Sequence, residues 1–84
     1  MKNRLLYMSN RLLYNRSIIE KLSELVEKNP YLRFNQLLIN CGVLETTEIL
    51  CQGDRETVIK DSFYEEPEIT WKRMCDNKFC FSND

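Results

Sequence analysis

Four cysteines are the residues of this 84-residue chain best suited to metal binding or nucleophilic chemistry. They stand at positions 41, 51, 75 and 80, and the chain has no histidine. A structural zinc site normally uses two close pairs of cysteine or histidine ligands, and no Cys-x-x-Cys pair occurs here. A disulfide framework is typical of secreted domains. We therefore expect free thiols that pack as small apolar groups, and neither a metal site nor a cofactor.

Paired carboxylates are the second group of residues that could do chemistry. Glu65 and Glu68 are three positions apart and can share one face of a helix, whereas the adjacent Glu66 points elsewhere. Acids at the start of a helix more commonly cap it and complement its dipole. The commonest general base, histidine, is missing, and the two glycines, at 42 and 53, form no Gly-rich phosphate loop. The sequence therefore favours a protein that is not an enzyme.

Two groups of side chains are instead suited to binding a macromolecule. The first lies on a predicted helix and contains residue types that read base edges in nucleic acids: Arg33, Asn35, Gln36 and Asn40. The second is acidic and aromatic, so that its carboxylates could imitate phosphates toward a basic partner: Tyr64, Glu65, Glu66, Glu68 and Trp71. The alternative interpretations are a solvated polar face for the first group and a capped helix with core-facing aromatic residues for the second.

The distribution of charge makes nucleic acid the less favoured partner. The whole chain carries a net charge of −1, which creates no strong field to attract DNA or RNA. Residues 1–28 hold six bases against three acids, a net of +3, and the remainder is therefore −4. Within that remainder, residues 61–68 hold four acids and no base. Either end of this weak charge dipole could face a charged partner.

The hydropathy pattern predicts a cytoplasmic protein without membrane contact. No run of residues approaches the roughly 18 apolar residues that are needed to span a bilayer. Asn and Arg interrupt the apolar residues of the N-terminal segment every few positions, which is unlike a secretory signal.

The N-terminal segment contains a repeat with an offset of seven residues. N-R-L-L-Y occurs at residues 3–7 and again at residues 10–14, so on a helix the two copies fall on nearly the same face. Three interpretations stay open. Residues 1–16 form an amphipathic helix that docks on the core or self-associates through residues 3–14, or they are a local duplication, or Met8 is an alternative start after a dispensable extension. We favour the helix, with fraying at its start.

The domain proper is predicted over residues 17–76 and begins with a strong helix signal. Ser17 and Glu20 have the spacing of a capping box, in which two side chains satisfy backbone N–H groups reciprocally. Apolar residues follow as one stripe at helical spacing as far as Val26. Pro30 suits the first turn of a second helix, which predicts a connection of only one or two residues.

The middle of the chain is predicted less uniquely. A second helix is expected over about residues 31–41, with Gly42 as its C-terminal cap. Residues 45–60 allow a β-hairpin that turns at Gly53-Asp54, because Thr, Ile and Val favour strands. A loop followed by a helical turn fits equally well. A lone hairpin would need the helices to cover it.

A last helix is predicted to begin between Ser62 and Pro67. Ser62 and Glu65 form a second capping-box pattern, and a first-turn proline is a competing signal for the start. Acids precede this helix and bases lie at its end, which complements the helix dipole. Residues 77–84 are expected to form a loose tail. These elements together predict a mainly α domain of three or four helices, with the hairpin at 46–60 left open.

Two motifs resemble a pair of signatures in short uncharacterised proteins of phages and prophages. They are P-Y-L-R-F-N-Q-L-L-I-N at residues 30–40 and D-S-F-Y-E-E-P-E at residues 61–68. The similar patterns in that group are P-x-x-R-F-x-Q-L-I-x-N and D-x-F-Y-x-E-x-E, on a small helical fold. The resemblance covers about half of the chain and implies an origin in a mobile element.

The resemblance also implies a class of function, because mobile elements encode many small proteins that block host defence nucleases by binding them. The expected function is a stoichiometric inhibitor or modulator of a host protein, such as a nucleic-acid-binding defence enzyme, in the cytoplasm of the host cell. An anti-CRISPR or anti-restriction factor is the most specific form of this expectation. The alternative is a small helix-turn-helix-like regulator that binds nucleic acid through Arg33 and its neighbours.

Overall fold

Three helices and one hairpin follow each other along the chain in the computed structural model. The structure describes residues 2–81, and the side chains of residues 9–81. Its elements are α1 (Lys2–Lys28), α2 (Phe34–Asn40), β1 (Thr46–Cys51), β2 (Asp54–Ile59) and α3 (Pro67–Cys75). The prediction of a small, mainly α domain is confirmed, and the segment left open forms a two-stranded antiparallel sheet.

α1 is one continuous helix of 27 residues, which corrects the predicted helix start at Ser17. The Ser17 hydroxyl donates to the carbonyl oxygen of Leu13, one turn earlier, at 3.0 Å. It therefore lies in mid-helix and caps no N-terminus. The helix runs through this position because residues 2–16 contain neither Gly nor Pro. The predicted boundary after residue 16 thus falls inside α1, and the first copy of the repeat lies outside the described side chains.

The connection between α1 and α2 spans residues 29–33, which corrects the predicted one or two residues. Pro30 lies in a turn outside both helices, where the Leu32 N–H donates to the Asn29 carbonyl oxygen at 3.1 Å. This hydrogen-bonded turn uses residues that were predicted to be helical, so α2 is short. Gly42 follows the helix with a φ of +89°, the left-handed conformation predicted for its C-terminal cap.

The core lies where the three helices and the chain after α3 meet. Its buried residues are apolar or contain sulfur: Leu25, Leu37, Cys41, Met74 and Cys80. Partly buried side chains surround them: Ile18, Leu22, Leu32, Val43, Trp71, Phe79 and Phe81. The prediction of a loose tail is therefore wrong for residues 79–81, which pack on the core because burying two aromatic rings offsets the entropy of ordering them. Residues 82–84 lie outside the described part.

The hairpin turns at Gln52-Gly53, one residue earlier than predicted. The φ angles of these residues are +52° and +86°, and two positive values are what a type I′ turn requires. Cys51 and Asp54 form the pair next to the turn. Apart from the half-buried Val58, all residues of the two strands are exposed. The described helices therefore do not provide the cover that was expected for this hairpin.

α3 begins at Pro67, the later of the two predicted starts. Proline disfavours a helical backbone in the residue before it, and Glu66 is accordingly extended, with a ψ of 143°. The Ser62 carbonyl oxygen accepts the Glu65 N–H at 3.0 Å in a turn, so the second capping box is not formed. Among the helices described here, none is both long enough and apolar enough to cross a bilayer.

Candidate binding surface

Glu65 is an acid that the fold binds firmly within its own chain. Its carboxylate accepts two N–H groups of Arg73, at 2.6 and 3.1 Å, and the hydroxyl of Thr70, at 2.6 Å. The hydrogen bonds from Arg73 and then from Thr70 hold the pKa of Glu65 below its ordinary value of 4.5. This predicted partner-binding residue is therefore also part of the structure that positions its neighbours.

Arg73 joins α3 to the segment that follows α2. Its Nε donates to the carbonyl oxygen of Gly42 at 2.6 Å, and its Nη2 donates to that of Val43 at 3.3 Å. Its Nη1 also lies 2.7 Å from the carboxylate of Glu45. The hydrogen bonds to Glu65 raise the pKa of Arg73. A guanidinium offers several donors in a rigid plane, so one side chain ties three segments together.

The other two predicted acids also face bases of the same chain. Arg11 of α1 donates two hydrogen bonds to the Glu66 carboxylate, at 2.7 and 2.9 Å. Glu68 lies 3.1 Å from the ammonium of Lys72, one turn later in α3. These pairs are exposed and contribute little stability, but each brings a positive charge next to a carboxylate. The segment is therefore less negative than its sequence indicates.

The aromatic residues near these acids differ in their surroundings. Trp71 is half-buried against the core, and its ring lies edge-to-face with that of Phe81 at 5.7 Å between centroids. It therefore agrees with the alternative interpretation, in which the aromatic residue faces the core. Tyr64 is 91% exposed, and its neighbour Phe63 is 82% exposed. Their two rings contact each other edge-to-face at 4.9 Å. Exposed aromatic rings side by side are typical of surfaces that bind another molecule.

The segment that carries these two rings, residues 61–65, is called the aromatic turn below. The Asp61 carboxylate accepts the Phe63 N–H at 3.0 Å, and the turn is closed by the backbone bond between Ser62 and Glu65. The Glu65 side chain is in turn held by Arg73. The backbone under both rings is therefore fixed before binding, which lowers the entropy lost when a partner covers them.

The predicted polar face of α2 is formed and exposed, and comprises Arg33, Asn35, Gln36 and Asn40. Part of it is engaged in local structure. The Gln36 side-chain oxygen accepts the Arg33 N–H at 3.1 Å at the start of the helix, and the Asn40 carbonyl oxygen accepts the Asn77 amide at 2.9 Å. With seven residues, α2 is about 10 Å long, and a five-residue connection replaces the tight turn that the helix-turn-helix interpretation assumed.

Sequence reasoning missed several exposed apolar residues. Phe63 stood inside the D-S-F-Y-E-E-P-E motif but was not taken as a contact residue. On α1, the spacing predicts a single apolar stripe that includes Ile19 and Val26, but both of these residues are exposed. Leu12, Ile19 and Val26 form a second line with seven-residue spacing, but Ile18 and Leu25 have the same spacing, so spacing alone does not tell which line faces the core.

The four cysteines are free thiols, as predicted. Cys41 and Cys80 are buried, whereas Cys51 and Cys75 are exposed and do not pack as core residues. The Cys80 thiol donates to the Cys41 carbonyl oxygen at 3.0 Å. Burial, above all, raises the pKa of Cys80 to about 12, so this thiol stays protonated and unreactive. Within the described residues, no three acidic or cysteine side chains are grouped as metal ligands.

No known protein family, curated protein or solved structure matches the chain. The resemblance of residues 30–40 and 61–68 to phage proteins therefore stays a prediction.

Proposed function

We propose that this chain is a non-catalytic binding protein that docks on a host protein through the aromatic turn and acts as its stoichiometric inhibitor or modulator. The observation that carries the proposal is the exposure of Phe63 and Tyr64 on a turn braced by the Arg73–Glu65 ion pair. Aromatic residues dominate the binding free energy of many protein interfaces. Full burial of one large apolar side chain contributes about 1.5–3 kcal/mol.

The chemistry of the described side chains supports a non-catalytic role. A general acid near neutral pH needs a raised carboxyl pKa, and that of Glu65 is lowered. A nucleophilic cysteine needs a lowered pKa, and that of Cys80 is raised. Both pKa shifts are typical of groups that are hydrogen-bonded or buried within the fold.

A defence nuclease of the host is the partner class that we favour, of the kind blocked by anti-CRISPR or anti-restriction proteins. The motif at residues 61–68 contains the aromatic turn, so the resemblance and the exposed rings point to the same segment. Because Glu65, Glu66 and Glu68 each face a base of this chain, the rings supply most of the affinity. The acids orient the chain on a basic surface and speed association.

The proposal is tested by photo-crosslinking from the aromatic turn. The full chain carries p-benzoylphenylalanine in place of Tyr64, and a control chain carries it in place of Tyr31, which is exposed to a similar extent, 79%, on the α1–α2 connection. Both are irradiated in host lysate. We expect the probe at position 64 to capture one protein that the probe at position 31 does not. Equal capture from both positions contradicts a role for the aromatic turn.

The captured protein is then purified and titrated with the chain by calorimetry, and its own activity is assayed. We expect a one-to-one complex with reduced activity. Tyr64→Ala should weaken binding by about tenfold or more, because it truncates a contact residue. Tyr31→Ala should bind like the wild type. Unchanged affinity of Tyr64→Ala, or an unaffected partner activity, rejects the proposed function.

A further inference from the structure

Beyond the proposed function, we infer that α1 pairs with α1 of a second copy of the chain, in antiparallel orientation. The contact surface is a stripe of three exposed apolar residues, Leu12, Ile19 and Val26. Seven residues, or nearly two helical turns, separate each from the next, so they form one line along the helix. Ile18 and Leu25 face the core from a neighbouring side, which makes the stripe a second apolar face of α1.

The C-terminal half of the stripe borders a shallow apolar groove. Ile19, Leu22 and Val26 of α1 line one side of it, and Phe34 of α2 lines the other. Phe34 is itself exposed. The apolar surface is therefore wider than a single line of side chains, and the groove can receive a branched side chain from a facing helix.

The stripe is symmetric about its central residue. Leu12 and Val26 lie seven residues to either side of Ile19, about 10 Å each way along the helix. A two-fold axis through Ile19 and perpendicular to α1 therefore brings Leu12 of each copy to Val26, beside Phe34, of the other. The same patch is used twice, as closed dimers require.

Charge complementarity favours a second copy of the chain as the partner of the stripe and sets the direction in which the two α1 helices run. With the axis at Ile19, residues 10–16 of one helix face residues 22–28 of the other in an antiparallel pair. The first segment carries two bases and no acid, and the second carries two acids and one base. Antiparallel pairing therefore places a segment of net charge +2 beside one of net charge −1, whereas parallel pairing would place two +2 segments side by side.

Sedimentation equilibrium of the full chain over micromolar concentrations tests the association. We expect a dimer that Ile19→Glu weakens at least about tenfold, because two carboxylates would meet at the axis. Ile19 is 62% exposed, so the substitution leaves the fold intact, which circular dichroism verifies. Leu50→Glu is the matched control, since Leu50 is 76% exposed on the hairpin and receives the same charge. A monomeric wild type, or a dimer that tolerates Ile19→Glu, overturns the inference.

Disulfide crosslinking tests the orientation. The exposed Cys51 and Cys75 are first replaced by serine. Chains with Leu12→Cys are mixed with chains that carry Val26→Cys, and the mixture is oxidised mildly. Antiparallel pairing brings positions 12 and 26 of different chains together, so we expect the mixed dimer to form fastest. Faster formation of the two symmetric dimers would show parallel pairing and overturn the inference.

Discussion

At the scale of single residues, the pair of Arg73 and Glu65 decides how the segments around the hairpin are held. Arg73 reaches two backbone carbonyl groups just after α2, and Glu65 lies just before α3. Both side chains remain partly accessible, so water screens their Coulomb attraction. We therefore attribute most of the contribution to the hydrogen bonds, which stabilise by about 1 kcal/mol each at most in such surroundings.

The pH dependence of stability tests this pair through Glu65→Gln. The folded protein lowers the pKa of Glu65 below 4.5, so its carboxylate stabilises the fold above pH 4.5, and that contribution is lost as the pH falls through the lowered value. We expect the variant to be less stable by about 1 kcal/mol at neutral pH, with the difference closing in acid. Urea denaturation of both proteins at a series of pH values measures it.

Glu27→Gln serves as the control, because it removes one negative charge from the exposed face of α1. Surface substitutions of this kind usually change stability by no more than about 0.5 kcal/mol. The stabilising role of the Glu65 carboxylate is contradicted if Glu65→Gln lowers the free energy of unfolding no more than the control does. It is also contradicted if the loss of stability persists unchanged in acid.

At the scale of elements, the hairpin depends on its own ladder and turn. Apart from the half-buried Val58, its strands are exposed, and so is the Glu48–Arg55 pair across the strands, at 3.6 Å. A two-stranded hairpin alone is marginally stable in water. Besides the hydrogen bonds between its strands, the hairpin is therefore held together largely by the turn at Gln52-Gly53 and by one closing hydrogen bond. In that bond the Lys60 N–H donates to the Glu45 carbonyl oxygen at 2.8 Å.

Gly53→Ala tests the turn, because the added methyl group meets nothing within 4 Å and the substitution therefore changes only the backbone preference. An L side chain at a φ of +86° costs about 1 kcal/mol. We expect amide hydrogen exchange in both strands to accelerate about fivefold. Gln52→Asn should slow it, since Asn-Gly favours a type I′ turn. NMR-detected exchange measures both, and equal acceleration at core amides such as Leu37 would contradict a local effect.

At the scale of the whole molecule, the segment after α3 closes a small core. Cys80 is buried beside Cys41, and the Phe81 ring packs against Trp71 and lies under the ammonium of Lys21, at 4.1 Å. A chain of this size buries only about 60–65% of the surface that it exposes when unfolded. Few side chains therefore carry the stability, and those after α3 are among them.

Truncation tests this role. A chain that ends at Lys78 loses Phe79, Cys80 and Phe81, and we expect its free energy of unfolding to fall by about 3 kcal/mol or more. A chain that ends at Phe81 keeps all three and serves as the control. Thermal unfolding followed by circular dichroism compares the two with the full chain. Similar melting temperatures for both truncated chains would show that residues 79–81 are dispensable.

The sequence by itself determined the features whose signals are local. The helical character of α1, α2 and α3 and the cap at Gly42 follow from backbone preferences and from apolar spacing within a few residues, whereas the start of α3 was left between Ser62 and Pro67. The hairpin was one of two alternatives, because strand preferences of residues 46–60 are weak without a packing surface. The candidate binding residues were chosen by type alone, and of the two aromatic ones the fold leaves Tyr64 exposed and Trp71 half-buried.

Only the tertiary structure decided which of these side chains are available to a partner. Glu65 and Glu66 are occupied by Arg73 and Arg11, which are eight and 55 positions away in the chain. Residues 79–81 became core because they meet α1 and α3 in space. The apolar residues of α1 were divided between the core and the stripe by where α2 and α3 pack. Contacts between distant segments carry no signal in local spacing, since they depend on how the elements pack together.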